Sequence, residues 1–289
     1  MSIKITNKYN LPSPLVSAVK NDPYPDNPDW NISTTSLISP PRIVQLKKRH
    51  RGELHEDVSD NIYRLLGTNT HHILERVNTP NCIKEERYSA YINGWKLAGQ
   101  IDLYEQGPMV LSDYKVSSVW SVINGIKIEH EAQGNINAWL MNQNGYEIKK
   151  IQVVILIRDW SKHQVRKSDN YPKCQVAVQN VPVWPEEKIT EYLYKRVKMH
   201  QRAEETPSDG LPFCTPEERW QSSNKWAVKK PKRKSAIRVL DSEEKALNYI
   251  KDKNLDDKHF VEFRAGESKR CKSYCSVSEF CNQFLEMEE

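Results

Sequence analysis

Apolar residues at Ile62, Leu65, Leu66, Ile73 and Leu74 recur at helical spacing, which predicts a helix within residues 57–77, with Gly67 as an interruption or a point of close packing. The period then changes. RYSAYING and WKLAGQIDLYE are β-branched and aromatic runs joined by Asn93-Gly94, a hairpin signal, and MVLSDYKVSSV after Gly107-Pro108 reads as a further strand. HEAQGNINAWLMNQ predicts a helix over about 130–143, ended by Asn144-Gly145. KIQVVILIRDW (150–160) is a continuous apolar run of the kind a buried strand shows, and VAVQNVPVW is one more strand. Pro185 opens the helix PEEKITEYLYKRVKMHQRA, with acids in its first turn and bases in its last. This order of elements predicts an α/β fold with a mixed sheet.

Residues 1–40 are rich in Pro, Asn, Asp and Ser and read as an extended arm ending in turns. Ser33-Thr34-Thr35-Ser36 can cap a short helix that Pro40-Pro41 stops. The core is expected over 41–204. A break at ETPSDGLP (205–212) opens a smaller unit over 205–289, with WAVKK and SAIRVL as strands, DSEEKALNYIKDK as a capped helix, then a cysteine-rich tail.

Composition narrows the class. The chain has 289 residues, 38% hydrophobic and 28% charged, with no run near the roughly 18 apolar residues of a membrane helix. MSIKITNKYNLPSP lacks the apolar stretch of a secretory signal, which predicts a cytoplasmic protein, in the host cytoplasm if phage-encoded. Six cysteines are too few for a disulfide scaffold, so reduced, clustered thiols point to metal. The net charge of +5 is uneven: Lys225, Lys229, Lys230, Lys232, Arg233, Lys234 and Arg238 exceed the whole surplus within one stretch free of acids. Such a strip suits a polyanion, though a solvated loop has the same composition. Trp226 lies inside it and is the candidate for base stacking; Trp120, Trp139, Trp160, Trp184 and Trp220 read as core.

Gly99-Gln100-Ile101-Asp102 followed by Asp113-Tyr114-Lys115 carries the chemistry. On a strand, Asp113 and Lys115 project the same way, and a hairpin can bring Asp102 beside them. Carboxylates meeting at one point repel unless a cation lies between them, and oxygen ligands suit Mg²⁺ or Mn²⁺. Lys115 could orient or deprotonate a water and stabilise charge building on a phosphate. In Gly67-Thr68-Asn69-Thr70-His71-His72-Ile73-Leu74-Glu75, His71 is a further ligand candidate, with Glu75 one helical turn on to hold it or meet the metal through water. Gln133, on the following helix, could hydrogen-bond the lysine or DNA. Each motif alone is weakly specific; their order is not.

That ordered series resembles the RecB-type nucleases of the PD-(D/E)XK superfamily, over roughly residues 33–160. The resemblance implies a restriction-endonuclease-like core with a mixed sheet flanked by helices, metal ligation by His71, Asp102 and Asp113, and Lys115 as catalytic lysine. Glu85 or Glu86 stands where the family often has an acid on the first core strand. Asn137 stands where it usually has an aromatic.

Cys271, Cys275 and Cys281 form a second constellation, three thiols that need a fourth. Cys214 is the first candidate, Cys82 the second and Cys174 the third. The tail is similar to the cysteine triplet of RecB-type exonucleases carrying a 4Fe-4S cluster, although three residues rather than two separate the first pair and no cysteine precedes His71. A four-thiolate Zn²⁺ staple is the alternative.

These resemblances imply a metal-dependent DNA nuclease of phage or mobile-element type, an exonuclease acting on ends or single strands in recombination, repair or replication. The chain is too short to carry a helicase as well, so the partners expected are DNA and a helicase or single-strand annealing protein. A catalytically silent DNA-binding or assembly subunit of the same fold, and a zinc-stapled nucleic-acid-binding protein, stay open.

Overall fold

In the computed structural model, which describes residues 3–21, 29–255 and 257–288, the chain divides into two units, Met1–Leu211 and Pro212–Glu289. The first begins with β1 (Lys4–Thr6), α1 (Ser13–Lys20), β2 (Ile32–Ser33), α2 (Thr34–Ile38), α3 (Pro41–Arg49), β3 (His55–Asp57) and α4 (Ile62–Glu75). It continues through β4 (Cys82–Ile92), β5 (Trp95–Glu105), β6 (Val110–Ser117), α5 (Trp120–Ile123) and α6 (Ile128–Gln143). It closes with β7 (Lys150–Ile157), α7 (Lys162–Val165), β8 (Val176–Val181) and α8 (Glu186–Glu205).

The stretch expected as an extended arm carries β1, α1 and β2, while its residues 22–28 lie outside the described ones. Proline explains the difference. Pro14 enters α1 in its first turn and Pro41 opens α3, positions where a missing N–H costs nothing. Pro40-Pro41 thus ends α2, whose Ser33 cap accepts from Ser36 N at 3.2 Å, and starts the next helix.

Six strands form one mixed sheet. Asn93 and Gly94 take φ of 46° and 77°, the left-handed pair a two-residue hairpin needs, and join β4 to β5 in a long antiparallel ladder. β6 and β7 are parallel and connected through α6, and β8 closes antiparallel to β7. The outer edge of β5 is shared: β2 pairs with Leu97 and Ala98, and β6 pairs only with Leu103 through Glu105. Among the described residues, Gly99–Asp102 in between has no strand beside it on that edge.

α6 is buried on nearly every side, from Ala132 through Met141, and forms the core with Leu97, Ile101, Leu111, Ile151, Val153 and Ile155. β7 was expected to be buried throughout; instead its residues alternate, Ile151, Val153, Ile155 and Ile157 buried, Gln152, Val154 and Leu156 half-buried and Lys150 exposed, because α6 covers one face more fully than the other is covered. α2 ends against α8, where Arg196 donates to the carbonyls of Leu37 (2.9 Å), Ile38 (3.0 Å) and Ser39 (2.6 Å) and His200 Nε2 donates to Leu37 O at 3.1 Å. These bonds satisfy the orphan carbonyls of a helix end that would otherwise be buried bare.

The second unit contains β9 (Lys225–Lys229), β10 (Arg238–Leu240), α9 (Glu243–Asp252), β11 (Phe260–Arg264), α10 (Lys269–Ser273) and α11 (Asn282–Glu288). Its three-stranded antiparallel sheet has the order β10-β9-β11. Ser242 caps α9 by accepting from Lys245 N at 3.2 Å. β11 was not anticipated, although Phe260-Val261-Glu262-Phe263 carries a strand composition.

Candidate metal centre

The site forms where β5 and β6 part. Their ladder ends at Leu103–Ser112. One step further the strands diverge, and Asp102 Oδ2 accepts from the Tyr114 N–H at 2.7 Å, replacing the ladder bond that the divergence removes. Asp102 is thereby fixed next to Asp113 and Lys115. Burial, and then the Asp113 charge, push its carboxyl up to about 7.

α4 brings His71 to this point. His71 Nδ1 lies 2.7 Å from Glu85 Oε1 and 3.7 Å from Asp102 Oδ1. The hydrogen bond that His71 donates to Glu85 is the main force that raises the imidazole above its ordinary value, against the opposing effect of burial. One ligand atom from each of His71, Glu85 and Asp102 lies within 4.8 Å of the others. An imidazole and two carboxylates so placed fit a divalent cation that accepts nitrogen and hard oxygen donors, such as Mn²⁺ or Mg²⁺.

Of the two adjacent glutamates, Glu85 is the one turned to the site, while Glu86 is exposed. Glu85 adopts φ of 49° in the middle of β4, where the β4–β5 register skips from Lys84–Leu103 to Glu86–Ile101. A side chain in the left-handed region within a strand is strained, and here the strain accompanies the turning of a carboxylate toward His71 and Asp102. Gln100 steadies it: Gln100 Nε2 donates to Glu85 Oε2 at 2.8 Å and Gln100 Oε1 accepts from Arg87 at 2.8 Å. Glu75, considered from sequence as the holder of His71, instead lies 3.6 Å from His72.

Asp113 and Lys115 meet as strand alternation requires, Lys115 Nζ donating to Asp113 Oδ1 at 2.8 Å. Gln133 Nε2 donates to the same oxygen at 2.9 Å, so it contacts the carboxylate rather than the lysine. Asp113 Oδ2 is buried and also lies 2.8 Å from the ammonium, so both carboxylate oxygens are in close contact with Lys115. Burial pulls Lys115 down; Asp113 and Asp102 outweigh it and hold the lysine above its ordinary value, as an ammonium. His130, one turn before Gln133, is held below its ordinary value by burial and by the Lys115 charge.

Asn137 explains why no aromatic stands one turn after Gln133. It is buried, accepts from Thr34 Oγ1 at 3.0 Å and donates to Gln100 O at 3.3 Å, filling the unpaired edge of β5 with polar partners. Gly99 makes this approach possible: a Cβ there would stand 2.5 Å from Asn137 Oδ1 and 2.8 Å from Leu140 Cδ1.

In the second unit, Cys214, Cys271, Cys275 and Cys281 are close enough to act on one another electrostatically. Burial, then Glu218 and the other three thiols, push Cys214 up to about 12, and burial with Cys275 and Cys281 raises Cys271. Gln283 clasps the Cys214 backbone, accepting from its N–H at 2.8 Å and donating to its carbonyl at 2.9 Å. Thiols are the donor type that zinc ions and iron–sulfur clusters take, but among the described residues the group of metal-type ligand atoms drawn within 4.8 Å of one another is His71, Glu85 and Asp102 rather than these sulfurs. Cys82 lies on β4 of the first unit, and Cys174 is exposed with its thiol on Val176 O at 3.1 Å.

Lys230, Lys232, Arg233 and Lys234 are exposed or lie in the turn between β9 and β10, whereas Lys229 is 2.8 Å from Glu262 and Lys225 is bonded to Asp241. Trp226 packs edge-on against Phe263, ring centroids 5.3 Å apart. Trp120 and Trp220, expected in the core, are 61% and 43% exposed.

No family model and no curated protein matches this chain. Among solved structures, that of SSO0001 is similar over 64% of this chain and 84% of its own, at 18% identity and a TM-score of 0.46. A phage-related exonuclease from Haemophilus somnus 129PT is similar over 56% of this chain and 70% of its own, at 12% identity and a TM-score of 0.29.

Proposed function

We propose that this protein is a metal-dependent DNA nuclease of the RecB type, an exonuclease acting on DNA ends or single strands. The observation that carries the reading is the convergence of His71, Glu85 and Asp102 at the fork where Asp113 and Lys115 also meet. His71, Glu85 and Asp102, with Asp113 beside them, would hold Mg²⁺ or Mn²⁺, which when bound supplies Lewis acidity toward a phosphodiester. Lys115, as an ammonium, donates to a phosphate oxygen or an attacking water, and its charge opposes the negative charge that builds during cleavage. Gln133 keeps the Asp113 carboxylate aligned with that ammonium. A bound cation would favour the ionised form of Asp102, which burial and the Asp113 charge otherwise disfavour.

In the second unit we assign Cys214, Cys271, Cys275 and Cys281 to a 4Fe-4S cluster, whose chemistry there is that of a cross-link between distant chain positions. DNA is the partner in this reading, with strand separation left to a helicase or an annealing protein.

Incubating the purified protein with end-labelled single- and double-stranded DNA in Mg²⁺, Mn²⁺ or EDTA tests the assignment. Cleavage should require the cation, and Lys115→Ala should lower it by about 100-fold or more while DNA binding survives. Undiminished cleavage by Lys115→Ala, or cleavage in EDTA, would overturn it. Binding without cleavage under every condition would instead identify a silent DNA-binding subunit.

A further inference from the structure

We propose that Tyr63, Arg158 and Trp120 form a stacking platform for the bases of a single DNA strand beside the metal centre, an inference that rests on the nuclease reading for its substrate. Tyr63 on α4 is 62% exposed, and the Arg158 guanidinium lies over its ring at 4.1 Å from the centroid. Arg158 is tied to the catalytic strand: its N–H donates to Ser117 O at 3.0 Å. Ser117 lies two residues past Lys115, about 7 Å along β6. From there the chain turns directly into α5, whose first residue is the exposed Trp120.

The segment carrying Trp120 is held on both sides. Asp159 Oδ1 accepts from Val119 N at 2.7 Å, and the Ser117 and Ser121 hydroxyls are 2.5 Å apart. A ring presented on a pinned turn loses little freedom when a ligand covers it. Two exposed aromatic rings and a guanidinium match one chemistry well: ring faces stack on bases, and the cation stacks or meets a phosphate. In a duplex the base faces are covered by their neighbours, so rings of this kind engage an unpaired strand or a frayed end. The position beyond Lys115 places such a strand next to the scissile site. The rings thus give the site a preference for unpaired DNA that the metal ligands alone do not supply.

The test is fluorescence anisotropy in EDTA, where nothing is cleaved, with the full chain and two labelled probes: an oligo(dT) and an abasic oligomer of the same length. The wild-type protein should bind oligo(dT) more tightly than the abasic strand. Tyr63→Ala and Trp120→Ala should each weaken oligo(dT) binding on the order of tenfold and leave abasic binding unchanged. Tyr63→Phe, which keeps the ring, should retain affinity. Arg158→Ala should weaken both probes and lower the salt dependence. Unchanged oligo(dT) affinity in both ring variants, or equal losses on the two probes, would overturn the platform. So would a Trp120-dependent dimer in sedimentation, which would mean that a second copy covers the ring. Base-dependent binding without cleavage in Mg²⁺ or Mn²⁺ would remove the nuclease reading alone; cleavage without base dependence would remove the platform alone.

Discussion

Gly99→Ala probes the contact that shapes the fork. Gly99 lies within β5, so the alanine backbone is acceptable there and the effect is steric. The added methyl carbon would stand 2.5 Å from Asn137 Oδ1 and 2.8 Å from Leu140 Cδ1, and closer still to Thr34 Oγ1. Overpacking of this kind costs about 1–3 kcal/mol. Two of the obstructing atoms are the partners of the buried Thr34–Asn137 hydrogen bond, whose loss adds about 1–3 kcal/mol. The stiffer unfolded chain returns about 0.4–1 kcal/mol, so the net loss should be about 1–6 kcal/mol. For a unit of this size that lowers Tm by roughly 2–24 °C. Urea denaturation followed by circular dichroism measures it. Mn²⁺ titration should also show weaker binding, since Asp102 lies three residues along the same strand. Combining Gly99→Ala with Asn137→Ala removes one obstacle and should recover about 1 kcal/mol relative to additivity. A loss below about 0.5 kcal/mol with unchanged Mn²⁺ affinity would refute the argument that this close approach is required.

Other outcomes follow from the same structure. Cys214→Ser, Cys271→Ser, Cys275→Ser and Cys281→Ser should each lose bound metal by elemental analysis of anaerobically purified protein, while Cys174→Ser keeps it; metal lost in Cys82→Ser but retained in Cys214→Ser would refute the four-cysteine assignment. Brown protein with equal iron and sulfide marks the cluster, and colourless protein with one bound metal marks zinc. Replacing Lys230, Lys232, Arg233 and Lys234 by Gln should weaken single-stranded DNA binding and flatten its salt dependence by about 0.7 per lost phosphate contact, with Tm unchanged; Lys229→Gln should add little, because Glu262 already neutralises Lys229. His200 is buried, and burial with the Arg196 charge holds it at about 4, below its ordinary 6.5. The neutral form is therefore the one the fold favours: its stabilisation is complete above about 6.5 and is lost as pH falls through about 4, by at most about 3 kcal/mol. Denaturation curves from pH 7 to 4 should be shallower in His200→Gln than in the wild type, and parallel curves would refute this.

Element order was legible because hydrophobic period and turn chemistry are local. Asn93-Gly94 marks a hairpin through its left-handed backbone, and Pro185 marks a helix start through its missing N–H, whatever surrounds them. The shared face of Asp113 and Lys115 follows from strand alternation in the same way. Other features are not local. Choosing Glu85 over Glu86 depends on a left-handed residue inside β4, which no propensity favours and only the surrounding packing sustains. The bond from Gln133 to Asp113, and the bonds of Asn137 to Thr34 and Gln100, depend on how α6 crosses the unpaired edge of β5. Trp120 has the composition of a core residue and is exposed at the start of a four-residue helix. Sequence by itself determined the periodic elements and which chemical groups the chain carries. Tertiary structure decided which of those groups meet, because a strand fork, a strained carboxylate and an exposed ring are set by contacts between residues far apart in the chain.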